Sequence, residues 1–225
     1  MKFASGIYTP ADAAALLHER PRTVRRWAFG ATRPPLIRAE LPTLEGERAI
    51  TFLELVELLY VRSLRRAGVS PARVREAALV AARLYGCAHP FALRRFYVDP
   101  GHLLYAALDE PDGTASLVQL RGHGQQEIPP LVRPFLTQLD FGVDDLARRW
   151  WPTGRAGGIV LDPSSSFGAP VVEEVGIRAS VLADAYDAEQ AAFRERAAAR
   201  VAWSYEIEPR HVEAALEFRR WVRAA

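Results

Sequence analysis

Residues 8–27 read YTPADAAALLHERPRTVRRW. Thr9 is a suitable N-cap, and Pro10 suits the first position of a helix. Ala13, Leu16 and Leu17 follow at helical spacing and can face a core. The chain breaks at residues 18–20, and Pro21 opens a second helix carrying Arg22, Thr23, Arg25, Arg26 and Trp27. Two short helices joined by a tight break make a helix–turn–helix. A basic second helix held out by a first one suits the major groove of DNA. Its guanidinium groups grip phosphate oxygens and can pair with both acceptors of a guanine edge. The competing reading of Arg22, Arg25 and Arg26 is a solvated basic face, and the scaffold around them favours DNA contact. Trp27 is read as core.

After Gly30, the run Arg33-Pro34-Pro35 forbids helix. Residues 36–50 hold Ile37, Leu41 and Leu44, punctuated by Pro42 and Glu45-Gly46-Glu47. This pattern predicts a short hairpin, the wing of a winged helix. Arg33, Arg38 and Arg48 either touch the phosphate backbone from it or lie in solvent. Thr51 and Glu54 have capping-box spacing, and Phe52, Leu55, Val56, Leu59 and Leu64 form the buried face of a third helix. Arg62, Arg65 and Arg66 sit in its last turns, where cations suit the helix dipole. Gly68 ends it. Ser70-Pro71 opens a fourth helix with Val74, Ala78, Ala81 and Tyr85 at helical spacing, stopped by residues 86–90.

The order of these pieces over residues 8–85 resembles the DNA-binding domain of MerR-like regulators. YTPADAAALL matches the first helix, PRTVRRW the recognition helix, and ITFLELVELLYVRSLRRAGVSPARVREA the helices after the wing. The resemblance implies operator DNA as a ligand and a homodimer that places two recognition helices about 34 Å apart, or a multiple of that. The chain departs from the family where a long coiled-coil helix would follow, since the fourth helix is expected to end near Tyr85. It also lacks the cysteines of the metal-sensing members.

The net charge of +2 conceals an asymmetry: residues 1–96 carry 16 Lys+Arg against 8 Asp+Glu, and residues 97–225 carry 13 against 19. The basic front suits a nucleic-acid backbone, and the acidic back suits protein contacts. Cys87 is the single cysteine, so no intramolecular disulfide can form, and it is read as a small core residue in a reducing compartment. No apolar run approaches the roughly 20 residues of a membrane span. No signal peptide is expected, since the helix–turn–helix pattern follows at once. The expected location is therefore cytoplasmic.

Residues 91–160 change character. Phe96–Val98, Leu103–Leu108 and Ser116–Leu120 read as short strands between Asp-Pro-Gly and Pro-Asp-Gly turns, with Ile159–Leu161 as another. Residues 130–139 read as a helix. Of Trp150 and Trp151, which follow Arg148 and Arg149, one indole is expected to be buried on a strand. The five histidines, His18, His89, His102, His123 and His211, show no metal-ligand spacing. Gly122–Gly124 and Gly154–Gly158 lack the Lys-Ser/Thr of a phosphate loop and read as turns, and Ser164–Ser166 reads as a loop. No catalytic constellation emerges, and no metal, cofactor or enzymatic activity is expected.

The run IVLDPSSSFGAPVVEEVGIRASVLADAYDA, followed by VAWSYEIEPRHVEAALEFRRW, resembles a small helical family whose members are described as VapB-type antitoxins. The matching positions are Asp162-Pro163, Phe167-Gly168-Ala169-Pro170-Val171, Gly176 and Arg178, and Val201 to Phe218. Ile177 stands where the family carries threonine, and residues 189–200 read as an inserted or extended helix. The resemblance implies a type II toxin–antitoxin system with a PIN-domain ribonuclease as the toxin. A basic antitoxin side chain can occupy such a toxin's acidic metal-binding cluster. Candidates are Arg148, Arg149, Arg155, Arg219, Arg220 and Arg223. Residues 201–218 form a second helix–turn–helix-like unit, read as a dimerisation or packing element because Glu206, Glu208, Glu213 and Glu217 interleave with its arginines.

The expected fold is therefore α+β: a MerR-like winged helix–turn–helix over residues 1–90, a small α+β connector over 91–158 and a helical antitoxin-type domain over 159–225. The expected function is that of a DNA-binding antitoxin that neutralises its toxin and represses its own operon. The alternative is a stand-alone MerR-like regulator whose middle domain senses a small molecule.

Overall fold

The computed structural model describes residues 6–41, 48–66, 68–94 and 138–224, and the backbone of 96–98, 104–109, 115–119 and 125–126. The chain divides into two units. One comprises Tyr8–Thr137 and Phe141–Ala147; the other comprises Met1–Ile7, Gln138–Asp140 and Arg148–Ala225. They are called the N-terminal and C-terminal units below.

The N-terminal unit is built on four helices. Helix α1 (Pro10–Leu16) starts in a capping box. Asp12 N–H donates to Thr9 Oγ1 at 3.1 Å, and Thr9 N–H donates to Asp12 Oδ2 at 3.0 Å. Two donors that the helix start would otherwise orphan are satisfied reciprocally. Helix α2 (Pro21–Phe29) begins, as expected, with proline at its first position. Helix α3 (Phe52–Arg66) carries the predicted capping box, with Thr51 N–H to Glu54 Oε2 at 2.9 Å and Glu54 N–H to Thr51 Oγ1 at 3.3 Å. Helix α4 (Pro71–Tyr85) is capped by Ser70 and ends at Gly86 in the left-handed region, φ +59°. Leu17, Val24, Ile50, Leu55, Leu58, Leu64 and Val74 are fully buried among these helices.

Among the described residues the expected wing shows no hairpin. Its turn, residues 42–47, lies outside the described residues, and residues 36–41 form no strand. Its far end, β2 (Ile50–Thr51), pairs instead with β1 (Ile7–Tyr8). The Glu54 carboxylate also accepts from Glu40 N–H at 2.6 Å, so the chain before β2 is bound to the start of α3 rather than to a partner strand.

Further along, β3 (Phe96–Val98), β4 (Leu104–Asp109), β5 (Ala115–Gln119) and β6 (Gln125–Gln126) form an antiparallel meander. In its register Phe96 faces Ala106, Ala106 faces Val118 and Val118 faces Gln126. Three strands were expected here; β6 adds a fourth. Most of the helix read at 130–139 falls outside the described residues, but Leu139 opens strand β7 (Leu139–Phe141), which pairs with β8 (Ala147–Trp150).

In the C-terminal unit, β9 (Ile159–Val160) pairs antiparallel with β10 (Val171–Val172), as Asp162-Pro163 turns the chain between them. Both tryptophans, 150 and 151, are 2% exposed, so the expectation of a single buried indole is corrected. Trp150 closes β8 through a bridge to Leu161; Trp151 leaves the strand and packs on Val160 and Val171, its Nε1 donating to Asp140 at 3.2 Å. Helices α5 (Ala179–Phe193), α6 (Ala197–Ser204) and α7 (Pro209–Arg223) pack on one another, with α7 also against β9 and β10. The long helix read across 189–200 is broken: α5 stops at Phe193, and Arg194 turns the chain at φ +42° before α6.

The architecture is α+β. No helix among the described residues is long and apolar enough to cross a membrane.

Candidate functional site

Helix α2 has two opposite faces set by one spacing. Val24, Trp27 and Ala28 are buried against the unit's interior, while Arg22, Arg25 and Arg26 are exposed. Each set runs i, i+3, i+4, so three guanidinium groups share one helical face. Thr23 is half-buried at the edge. Among the described residues, no carboxylate pairs with any of the three arginines. Their charge is therefore available to a ligand.

The turn into α2 is held from α3. Arg66 Nη2 donates to the His18 carbonyl at 3.2 Å and pairs with Glu19 at 3.4 Å. His18 itself takes φ +48°, a left-handed turn that makes the break between α1 and α2. Nearby guanidinium groups and burial also act on titration here. Burial first, then Arg62 and Arg66, hold the His18 pKa below its ordinary value.

Beyond α2, residues 30–38 form a strap. Gly30 caps α2 at φ +73°, and a Cβ there would lie 2.8 Å from the Arg33 carbonyl oxygen, so glycine is required. Leu36 N–H donates to the Trp27 carbonyl at 2.7 Å. Arg75 of α4 clamps the strap: its Nε donates to the Pro34 and Pro35 carbonyls at 3.1 Å each, and its Nη2 donates to Pro34 at 2.7 Å. Strap and helices enclose a cleft of about 300 Å³ lined by Arg26, Arg33, Arg65 and Arg75, with no carboxylate among the described lining residues. Arg65 already holds the Val69 carbonyl and Arg75 those of Pro34 and Pro35, so Arg26 and Arg33 are the pair left to meet a phosphate there. Arg33, Arg38 and Arg48 are exposed, and the Arg48 guanidinium lies 5.0 Å above the Phe29 ring.

Behind the strap lies a buried ionic network that the sequence did not reveal. Glu57, 2% exposed, accepts from His89 Nδ1 at 3.1 Å and from Phe91 N–H at 3.3 Å, and His89 Nε2 pairs with Glu40 at 3.0 Å. Burial disfavours charge on His89, but Glu57 and Glu40 outweigh it and push the pKa up to about 9. Burial pushes the Glu57 carboxyl upward, against the pull of His89. We take His89 as charged, because two carboxylates flank it. Cys87, expected in the core, is half-exposed, and burial raises its pKa, so it is not an activated thiolate.

In the C-terminal unit, the arginines named as toxin contacts divide. Arg149 donates to Asp162 at 2.9 Å and faces Glu173 at 3.8 Å. Arg155 pairs with Asp140 and lies 5.0 Å over the Trp151 ring. Arg219 grips Asp187 through two bonds, 2.6 and 2.8 Å, and donates to the Ala183 carbonyl at 3.1 Å, joining α7 to α5. Arg220 faces Glu217 at 3.9 Å, both well exposed, and Arg148 and Arg223 are exposed as well. The structure does not gather the six into one cluster of free cations. It also presents residues not anticipated from sequence: Trp203, 83% exposed at the end of α6, and Phe167, 79% exposed at φ +57°. Exposed aromatics are the residue class enriched at protein interfaces. Sequence periodicity gives no hint of them: Phe167 stands in a short turn, and Trp203 on the outer face of the last turn of α6.

Among the described residues, no group of three His, Cys, Asp or Glu side chains is placed to hold a metal.

Beside the exposed arginine face of α2 and the ion-paired helical unit stand two likenesses to known proteins. The chain is 27% identical over 198 residues to a Mycobacterium tuberculosis (strain ATCC 25618 / H37Rv) protein named "Putative antitoxin VapB45", covering 79% of this chain and 81% of that one. A crystal structure described as Rv2018 from Mycobacterium tuberculosis matches with a TM-score of 0.63 at 22% identity, covering 93% of this chain and 96% of the other. That likeness concerns the fold. No protein-family model matches the chain.

Proposed function

We propose that this protein is the DNA-binding antitoxin of a type II toxin–antitoxin pair, neutralising a PIN-domain ribonuclease and repressing its own operon. The observation that carries the antitoxin reading is the similarity along most of the chain to a protein named as an antitoxin. The DNA-binding part rests on Arg22, Arg25 and Arg26 on one exposed face of α2, beside a cleft lined by Arg26, Arg33, Arg65 and Arg75. Thr23, Arg38 and Arg48 complete the proposed DNA surface. A homodimer would present two such helices to successive turns of the duplex.

Toxin neutralisation is assigned to the C-terminal unit. Of the candidate arginines, Arg220 and Arg223 lead, because Arg149, Arg155 and Arg219 already satisfy internal carboxylates. Moving those three would break contacts between separate segments, whereas Arg223 and Arg220, whose carboxylate neighbour Glu217 stands on the same exposed helix, lie in the last turns of α7.

The test is co-expression with the product of the adjacent gene, affinity capture of the complex, and a growth assay. The reading expects a stable complex that relieves toxicity. The absence of a complex, together with a neighbour that does not slow growth, overturns the antitoxin assignment. Glutamate at Arg220 and Arg223 should then weaken relief without unfolding the protein; unchanged relief moves neutralisation elsewhere.

A further inference from the structure

A second, larger hollow in the N-terminal unit shares Pro34, Leu36 and Arg75 with the arginine cleft but has the opposite character. Its volume is about 640 Å³, inside the range of about 300–1,000 Å³ that holds small molecules. Leu36 and Ile37 of the strap form one wall, and Ala78, Leu79 and Ala82 of α4 form another. Positions 78 and 82 stand one turn apart, and their short side chains leave the space open. Leu79 is 60% exposed, an apolar side chain with nothing to cover it among the described residues.

The charged groups around this groove decide what it can hold. Four line it: Arg38, Glu57, Arg75 and Arg83. Arg75 is committed to the Pro34 and Pro35 carbonyls. Glu57 is committed to His89 and to the Phe91 N–H. Arg38 and Arg83 are exposed and paired with no carboxylate among the described residues. The walls are therefore apolar, and the charge left free at the rim is positive. A neutral apolar molecule would gain nothing from those two guanidinium groups, and a cation would be repelled by them. The groove is also preorganised, since the Arg75 clamp fixes the strap wall before any ligand arrives.

We infer that this groove binds a small amphipathic carboxylate, its hydrocarbon part between the strap and α4 and its anionic end at Arg38 and Arg83. The site needs no toxin and, of the two arginines at its rim, shares Arg38 alone with the proposed DNA surface.

The test is calorimetric titration of the full chain with octanoate, with octan-1-ol as the uncharged counterpart. Saturable one-to-one octanoate binding is expected, with octanol weaker by about tenfold, the worth of a charge-assisted hydrogen bond. Arg83→Glu, on the exposed side of α4, should weaken octanoate by about tenfold or more. Ala82→Trp should abolish binding by filling the groove; should that variant fail to fold, Arg83→Glu carries the test alone. Several results would overturn the inference: no saturable binding, equal affinity for octanol, or an Arg83→Glu variant that binds as well as the parent. So would a change of oligomeric mass on Leu79→Arg in a protein that ignores octanoate, since the groove would then be an interface between copies of this chain.

Discussion

On α2, Arg22, Arg25 and Arg26 meet no carboxylate among the described residues, whereas in the C-terminal unit Arg149, Arg155, Arg200 and Arg219 each grip one. Both regions are rich in arginine, so abundance does not distinguish them. The location of the acids does. Residues 148–225 hold 11 arginines and 11 acids, and their helices bring opposite charges together. In the N-terminal unit, Glu54 and Glu57 are turned inward, where they cap α3 and hold His89. These two carboxylates serve the interior rather than the surface. An arginine left without an intramolecular partner retains its full charge for a phosphate, and one already paired contributes to holding helices together.

The largest effect expected from this contrast is on DNA. Changing Arg22, Arg25 and Arg26 together to glutamate should lower affinity for duplex DNA by about a thousandfold near 0.1 M salt, because it removes phosphate contacts and adds repulsion. The melting temperature should hardly move, since all three side chains are exposed. The matching triple change at Arg149, Arg155 and Arg219 should do the reverse. Fluorescence anisotropy on a labelled duplex, beside a thermal melt, separates the two. If the C-terminal triple abolished DNA binding in a folded protein, the contrast would fail.

The next effect concerns the network behind the strap. His89→Ala leaves Glu57 buried without its partner, a change that costs about 3 kcal/mol. The pH dependence follows from the sign of the shift. The folded pKa of His89, about 9, lies above its ordinary value of 6.5. The resulting stabilisation is fully present below pH 6.5 and is lost as pH rises through about 9. Melting temperature should therefore fall across that window, and His89→Gln should flatten the curve. A flat profile in the parent protein would show that the imidazole is not held charged.

Smaller still is the contribution of the paired arginines taken singly. Arg219→Ala should lower the melting temperature by about 3 °C, as expected for a partly exposed ion pair with good geometry in a chain of this size. Asp187→Asn should lower it by less, because Arg219 keeps its bond to the Ala183 carbonyl. A larger loss from Asp187→Asn than from Arg219→Ala would mean that the carbonyl bond does not help to join α7 to α5.

The legible parts of this molecule were those governed by local rules. Thr9, Pro10, Pro21, Thr51, Glu54 and Ser70 marked helix starts, because capping chemistry acts over three or four residues. Strands β3, β4, β5 and β9 could be read from their apolar runs and the turns between them. Residues 36–41, expected to open the wing, form no strand, since a hairpin and an irregular strap share the same proline and glycine punctuation. What separates them is Glu54 reaching back to Glu40, fourteen residues away. Trp150 and Trp151 were misjudged because alternation puts one of two neighbours outside, while here the chain leaves the strand between them. The Glu57–His89 pair spans 32 residues and has no periodicity to betray it. On α2 the sequence was sufficient to place the arginines on one face; that they stay unpaired is a fact of tertiary structure. In the C-terminal unit, where partners such as Asp187 lie 32 residues from Arg219, the same residue type gave no means of choosing.

The strap and Arg48 give the finest test of the contrast, because their arginines lie between the two cases. Arg33 lines the four-arginine cleft, Arg38 stands at the rim of the apolar groove, and Arg48 lies over the Phe29 ring. Each phosphate neutralised steepens the dependence of log affinity on log salt by about 0.9. Arg33→Ala should therefore flatten that slope by about one contact. Arg48→Ala should have less effect, because a guanidinium stacked on an aromatic ring gives up that contact, about 0.5–1 kcal/mol at an exposed site, when it turns to a phosphate. Measuring anisotropy from about 50 to 200 mM salt, where such slopes are steep, ranks the two. Equal slopes for Arg33→Ala and the parent would place the phosphate outside the cleft and confine the DNA surface to α2 itself.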